Sequence, residues 1–337
     1  MPVLSVLDLA PVSEGSTPAD ALRNSIELAG VVERLGYARH WVAEHHNMPG
    51  IASSAPAVLI AHLAAATSTI RLGSGGVMLP NHASLVVAEQ FGMLEALHAG
   101  RIDLGIGRAP GTDPLTASAL RRTKSPFTED EFPAQLVELL GYFSGRFPDG
   151  HPYRGITAVP GLGYGPAIWL LGSSDYSATV AGMLGLPFSF AHHFASANTD
   201  AAVAAYREAF QPSEDLAEPY VMLGVTVVCA DTDEQAQWLS GSNRLAFVRL
   251  RSGRPGRFPS PEEAAAYQYS PMEDEIARSW TGSHVVGSPE RVRKELLELA
   301  DRTGADELMI TSMVHDHRAR LHSYELVADV MDLAPRS

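Results

Sequence analysis

The sequence predicts an α/β barrel of eight parallel strands, each followed by a helix, and three observations carry that reading. Short apolar runs alternate with amphipathic stretches eight times along the chain. The runs are nearly continuously apolar, as strands of a parallel sheet covered by helices are. The chain has 337 residues, long for an ordinary domain but suited to one barrel of about 250 residues plus insertions. A doubly wound open sheet is the alternative that strand counting leaves standing.

Taken in order, strands are expected at 3–8 (VLSVLD), 38–43 (ARHWVA), 70–79 (IRLGSGGVML) and 101–107 (RIDLGIG). They continue at 167–172 (AIWLLG), 187–191 (PFSFA), 220–229 (ending at Cys229) and 307–313 (ELMITSM). Helices are expected near 18–35, 54–67, 83–98, 129–146, 175–184, 197–210, 232–250 and 317–333. Thr17-Pro18 places a capping hydroxyl before a first-turn proline, and Ser288-Pro289-Glu290 repeats the device ahead of a further helix at 289–303. Ser174 and Asp175 offer a cap after the fifth strand, and Gly36 and Gly304 fit helix ends. Two segments break the rhythm. Residues 108–166 form a Pro- and Gly-rich insertion after strand four with one helix inside. Residues 251–283, between strands seven and eight, are polar and proline-punctuated, which marks a candidate lid. The whole of 1–337 reads as a single domain.

Composition excludes several classes of function. The net charge is −14, with 39 acidic against 25 basic residues, a field that repels nucleic acid and anionic lipid. An anionic cofactor therefore needs a local basic or amide-lined site. The one cysteine, Cys229, allows no intramolecular disulfide and no thiolate cluster. No basic leader and no long apolar run is present, so a cytoplasmic protein is expected.

In such barrels the loops after the strands build the site, and four of them carry unusual residues. Strand two ends in Glu44-His45-His46-Asn47. Neighbouring strand residues point to opposite faces, so the two histidines do not reach one ligand together. That weakens a two-histidine metal hydrolase, and no metal site is expected. One imidazole at the rim serves as a base or hydrogen-bond donor, or packs in the loop. Strand three carries Gly73, Gly75 and Gly76, which either admit a flat ligand or shape a bulge. His82, just beyond, faces the pocket or caps the next helix. Strand four runs through Gly107 into Arg108, whose guanidinium suits a phosphate or carboxylate, or pairs with Asp113. Strand five opens directly into a helix through Ser173, Ser174, Asp175 and Ser177. Hydroxyls at a helix N-terminus make a phosphate site or a simple cap; Asp175 is expected to face outward. Arg108 and this turn lie on adjacent strands and together form a phosphate clamp. No serine nucleophile elbow, HExxH or Walker loop occurs.

AEHHN, GSGGVMLP, GRIDLGIGRAPG and WLLGSSDYSA…GLP, in this order, resemble the luciferase-like flavin monooxygenases. So does VGSPERVRKELLELADRTGADELMITS near the C-terminus, and the resemblance runs from residue 3 to about 332. SVLDLAPVSEGST, HHNMPGIASSAPAVLI and HDHRARLHSYEL are most similar to the alkanal-monooxygenase-like group. The resemblance implies a TIM barrel and a homodimer. It also implies reduced FMN supplied by a separate flavin reductase, with dioxygen as oxidant and a small organic molecule as substrate. His45 matches the catalytic histidine. Gly75 and Gly76 match a pair joined by a non-proline cis peptide beneath the flavin ring. Arg108 matches the phosphate arginine, and Ser174 and Ser177 match phosphate hydroxyls. Gly107 stands where luciferases carry a reactive cysteine, and Ser173 where they carry a glutamate; the first departure removes the expectation of light emission. The rival readings are a deazaflavin-dependent oxidoreductase on the same barrel and a flavin-binding protein without turnover.

Overall fold

The computed structural model describes residues 1–121 and 131–334. Its strands are β1 (Val3–Asp8), β2 (Arg39–Val42), β3 (Arg71–Met78), β4 (Ile102–Gly107), β5 (Ala167–Gly172), β6 (Phe188–Phe190), β7 (Val221–Cys229), β8 (Val285–Gly287) and β9 (Glu307–Thr311). Eight of them close a parallel ring in the order β6-β5-β4-β3-β2-β1-β9-β7, with β6 pairing β7 to complete it. The open-sheet alternative is thereby removed.

The helices are α1 (Pro18–Arg34), α2 (Pro56–Ala66), α3 (Ser84–Leu97), α4 (Pro114–Arg121), α5 (Glu131–Ser144), α6 (Asp175–Met183), α7 (His192–Ala195) and α8 (Thr199–Ala209). They continue as α9 (Asp233–Arg251), α10 (Pro261–Ala266), α11 (Pro271–Thr281), α12 (Pro289–Thr303) and α13 (His317–Val330). The starts are built as the sequence expects at Thr17, where side chain and Asp20 form a reciprocal capping box. Ser174 and Ser288 also occupy N-cap positions, but their hydroxyls make no capping bond. Gly36 and Gly304 both adopt positive φ at helix ends.

Outward-facing Leu4, Val6, Leu72, Leu104, Phe188, Val225 and Ile310 join helix residues such as Leu28, Phe91 and Leu296 in the main core between barrel and helices. A second cluster fills the barrel itself: Leu7, Trp41, Ala43, Trp169, Met222 and Met309. Below it, at the N-terminal ends of the strands, lies a buried ionic floor. Asp103 accepts from Arg39 (2.8 Å), Arg71 (2.6 Å) and the Trp41 indole (2.9 Å). Glu307 accepts from Arg39 (3.1 Å), Tyr220 (2.9 Å) and Ser5. Burial pushes the Glu307 carboxyl above its ordinary value, although Arg39 pulls the other way.

Three sequence expectations change. β8 was not foreseen; it pairs only with the far end of β7, at Val227 to Cys229, and stands outside the ring. The helix that fills the ring between α8 and α13 is α12, not 232–250. That stretch, as α9, instead starts an excursion with α10 and α11 packed on it. Within 251–283 the backbone is therefore largely helical, and it is tied to the rest at Phe258, whose N–H donates to Val12 (2.8 Å) while its carbonyl accepts from Glu14 (2.9 Å). The insertion 108–166 holds two helices among the described residues, α4 and α5; 122–130, including the expected helix start at 129, lie outside them.

Candidate active site

The C-terminal ends of the strands gather the sequence candidates at one mouth. Trp41 and Ala43 face the barrel interior; past the end of β2, His45 lies near enough to His193 for their charges to interact, whereas His46 and Glu44 face each other. The His45 backbone N–H donates to Ser53 (3.0 Å), while its ring Nδ1 is buried without a partner. Burial holds the ring down at about 4, against the attraction of Glu44 and with repulsion from His46. At neutral pH His45 is thus an uncharged imidazole, poised to accept a proton or donate one N–H, and not a standing acid.

His46 is turned to Glu44 instead, at 2.8 Å from Nε2 to Oε1. His82 reaches the same oxygen at 2.8 Å, and the Met78 N–H donates to the other at 3.1 Å. Glu44 is fully buried. Burial favours its neutral form, but these partners prevail and its pKa is lowered. This carboxylate clasps the ends of β2 and β3 together. No local pattern in the sequence announces that role, and His82 serves Glu44 and does not cap α3, whose N-cap is Ala83. Among the described residues no group of three His, Cys, Asp or Glu side chains is arranged to hold a metal.

The Gly75–Gly76 peptide is cis. The β3–β4 register shifts there, so the bulge and the close approach coexist. A Cβ at Gly76 would lie 2.8 Å from the Gly105 carbonyl, and one at Gly75 would lie 2.6 Å from Leu7. With Gly107 continuing β4, the inner wall is a strip without side chains, shaped to lie against something flat.

Arg108 forms no ion pair among the described residues; its guanidinium lies 4.4 Å from the Tyr176 ring centroid, over the first turn of α6. The expected rival partner, Asp113, is occupied by Asn47 (3.0 Å) and Thr116 (2.6 Å). Arg108 and the serine turn are therefore brought together. Ser174 is half-buried with its hydroxyl free of capping, Ser177 is buried under Gly172, and Ser173 and Asp175 are exposed. The open N–H groups of α6, its dipole and a guanidinium without an acid partner fit a phosphate.

Further histidines, unmarked by any motif, cluster beyond β6 and just ahead of β8. His193, in α7, sits against Gly224 of β7, close enough to His45 for their charges to interact. His192 bonds Thr199 at 2.7 Å. His284 packs on Trp280, its Nε2 buried without a partner. Burial holds all three down at about 4. Cys229 is buried and free, its thiol pushed up to about 12 by desolvation.

Comparison with known proteins agrees with this geometry. The family model for luciferase-like monooxygenase matches residues 1–307. A luciferase-like monooxygenase of Escherichia coli K12 is 48% identical over 328 residues, covering 97% of this chain and 96% of its own. N-acetyl-S-alkylcysteine monooxygenase of Bacillus subtilis is 39% identical over 337 residues, covering 99% of each. The crystal structure of apo-MsnO8 superposes with a TM-score of 0.89 at 44% identity and covers 100% of both chains. More distant structures share the fold alone. They include an FMN complex of a type II Baeyer–Villiger monooxygenase component (TM-score 0.72, 18% identity, 97% of each chain). An F420-dependent secondary alcohol dehydrogenase does too (0.69, 14%, 98% of each). With a glycine-walled barrel mouth, an arginine over a helix N-terminus and a family model matched over residues 1–307, this chain is a member of the luciferase-like monooxygenase family.

Proposed function

We propose that the protein is an FMN-dependent monooxygenase that oxidises a small organic substrate with dioxygen, using reduced FMN delivered by a separate flavin reductase. One observation carries the flavin reading: Arg108, which forms no ion pair among the described residues, lies over the open N-terminus of α6 beside the side-chain-free strip of β3 and β4. Arg108, Ser174 and Ser177 would hold the phosphate, and Gly75, Gly76 and Gly107 would lie under the ring. Ser173, exposed at the edge of the same turn, would contribute at most its backbone. Reduced FMN, when bound, supplies the electrons that activate dioxygen. His45 then accepts or returns one proton at a ring nitrogen, which a neutral imidazole is ready to do. Glu44 keeps its loop in place through His46, His82 and Met78. The excursion 251–283, pinned at Phe258, is proposed as the lid that keeps water from the site.

A deazaflavin-dependent oxidoreductase is the second reading, because a barrel of the same fold is described with F420. The relatives named as monooxygenases are far more similar in sequence, which favours FMN. The test is titration of the purified protein with FMN, reduced FMN, riboflavin and the deazaflavin, followed by dioxygen uptake with a reductase. Tighter binding of the deazaflavin than of either FMN form would overturn the proposal. A protein that binds FMN yet oxidises nothing in a panel of thioethers and aldehydes would be a flavin carrier. The thioethers enter that panel because one relative is named for an N-acetyl-S-alkylcysteine.

The proposal extends to assembly and place. Val58 on α2 and Val86, Met93 and Leu97 on α3 are exposed apolar residues on neighbouring helices, a face suited to a second copy in a homodimer. A separate reductase suits a cytoplasmic enzyme, and the net charge of −14 argues against nucleic-acid and anionic-membrane partners. No helix among the described residues is long and apolar enough to cross a membrane.

A further inference from the structure

Among the described residues, three polar atoms in the upper barrel are buried without a hydrogen-bond partner: His45 Nδ1 beyond β2, His193 Nδ1 beyond β6 and Thr311 Oγ1 at the end of β9. Thr311 shares the inward parity of Glu307 and Met309. Unpaired buried polar groups are costly; others occur elsewhere, as at Asp8, Ser25 and His40, but these three gather around the upper end of one barrel. Their positions are informative. β2 and β6 stand opposite each other in the ring, and β7 alone separates β6 from β9. Arg108 and the serine turn hold the β4–β5 side. If FMN sits there, as the preceding proposal has it, the β6–β7–β9 arc is left for the molecule to be oxidised.

That arc has room made for the imidazole. Met222 of β7 faces inward, so Gly224 does also, and a Cβ at this position would lie 2.6 Å from His193 Nδ1 and 2.9 Å from its Cε1. The arc also has a definite chemistry. Above the Glu307 floor its inward residues are Ser189, Met222, Gly224, Thr226, Met309 and Thr311, with His193 beyond them, and none of these carries a formal charge at neutral pH. Burial keeps His193 neutral, at about 4, despite the nearby Gly224 backbone that favours its protonation. A neutral N–H and a hydroxyl satisfy an uncharged oxygen. A carboxylate would lose its hydration with no cation to offset the loss. We propose that His193 and Thr311, over the space left by Gly224, form a substrate subsite opposite His45 that takes an uncharged carbonyl or amide oxygen. This rests on the flavin reading and adds to it the recognition of one chemical group.

The test compares two thioethers that differ only in an acetamido group, N-acetyl-S-benzylcysteine and 3-(benzylthio)propanoate. Binding to the FMN-loaded protein is measured calorimetrically, so no turnover is needed. The native protein should bind the acetamide probe at least tenfold more tightly. His193→Phe and the isosteric Thr311→Val should each cut that preference to within about threefold, leaving FMN affinity unchanged. His193→Gln, which keeps an N–H donor, should retain part of the preference and guards against a folding defect in the phenylalanine variant. A preference that survives His193→Phe and Thr311→Val overturns the subsite. So does native protein that shows no preference or binds neither probe. If FMN itself fails to bind, the flavin reading falls first; if FMN binds and the preference is absent, only the subsite falls.

Discussion

The two ends of the barrel treat buried polar groups in opposite ways. At the floor, the Asp103 and Glu307 carboxylates are fully buried and each accepts from three side chains, with Arg39 shared between them. At the mouth, among the described residues, His45, His193 and Thr311 keep buried atoms without partners and Arg108 forms no ion pair. The same strands run through both ends, so packing quality does not explain the difference. The floor is complete in the chain itself. The mouth is complete only with something else in it, as sites that violate local rules generally are.

The largest effect should come from breaking the floor. Asp103→Asn leaves two guanidiniums facing a neutral amide, and loss of one partner of a buried ion pair costs about 3–5 kcal/mol. Urea unfolding followed by tryptophan fluorescence measures it. A loss below about 1 kcal/mol, smaller than that of one hydrogen bond to a charged group, would show that apolar packing alone holds the floor.

A mouth residue should behave conversely, costing activity and little stability. His45→Ala is expected to lower product formed per reduced flavin by at least about 100-fold, within the range for lost acid–base help, with FMN affinity changed only a few-fold. His46→Ala, which strips one donor from Glu44, should act on stability, by about 1–3 kcal/mol. If the two variants exchange these phenotypes, the facing of the two histidines is misassigned.

Arg108→Ala sharpens the comparison at the rim. The guanidinium rests on the exposed Tyr176 ring, so its loss should change the melting temperature of the flavin-free protein little. FMN binding should weaken by about 1.5–3 kcal/mol, the value of hydrogen bonds to a charged group. Riboflavin, which lacks the phosphate, should be indifferent; equal losses for both ligands would remove the phosphate assignment.

The smallest effect is one of pH. The mouth histidines have folded pKa values of about 4, below the ordinary 6.5 or so of the unfolded chain. Between these values the unfolded chain binds the proton and the folded one does not. Stability is therefore full above about pH 6.5 and falls as pH drops toward 4, by at most about 1.4 kcal/mol per pH unit for each such group. His193→Phe should flatten this slope in the flavin-free protein, and an unchanged slope would mean that the imidazole is solvated after all.

Much of this was legible in the sequence, for a physical reason. Strand alternation separated His45 from His46, and a strand running straight into a helix marked the serine turn. What was missed lies in long-range partnerships. Glu44 meets His82 across 38 positions, and the floor is assembled from β1, β2, β3, β4 and β9, so no local pattern announces either. β8 has only three residues, too short a run to read as a strand even with Gly282-Ser283 before it and Gly287-Ser288-Pro289 after it. The excursion was a missed signal of another kind. Its prolines read as breakers, yet Pro261 and Pro271 each follow a capping serine, and Ser270 with Glu273 forms a full capping box. This is the device recognised at Ser288-Pro289, and it could have placed α10 and α11.

The excursion's attachment has a consequence for how such enzymes diversify. α9, α10, α11 and β8 all leave and return between β7 and α12 as one stretch of chain. No residue of the floor network lies between 230 and 306; Tyr220 precedes β7 and Glu307 begins β9. A single contiguous piece of coding sequence could thus be exchanged between relatives, recombining the roof of the site while the ionic foundation stays untouched.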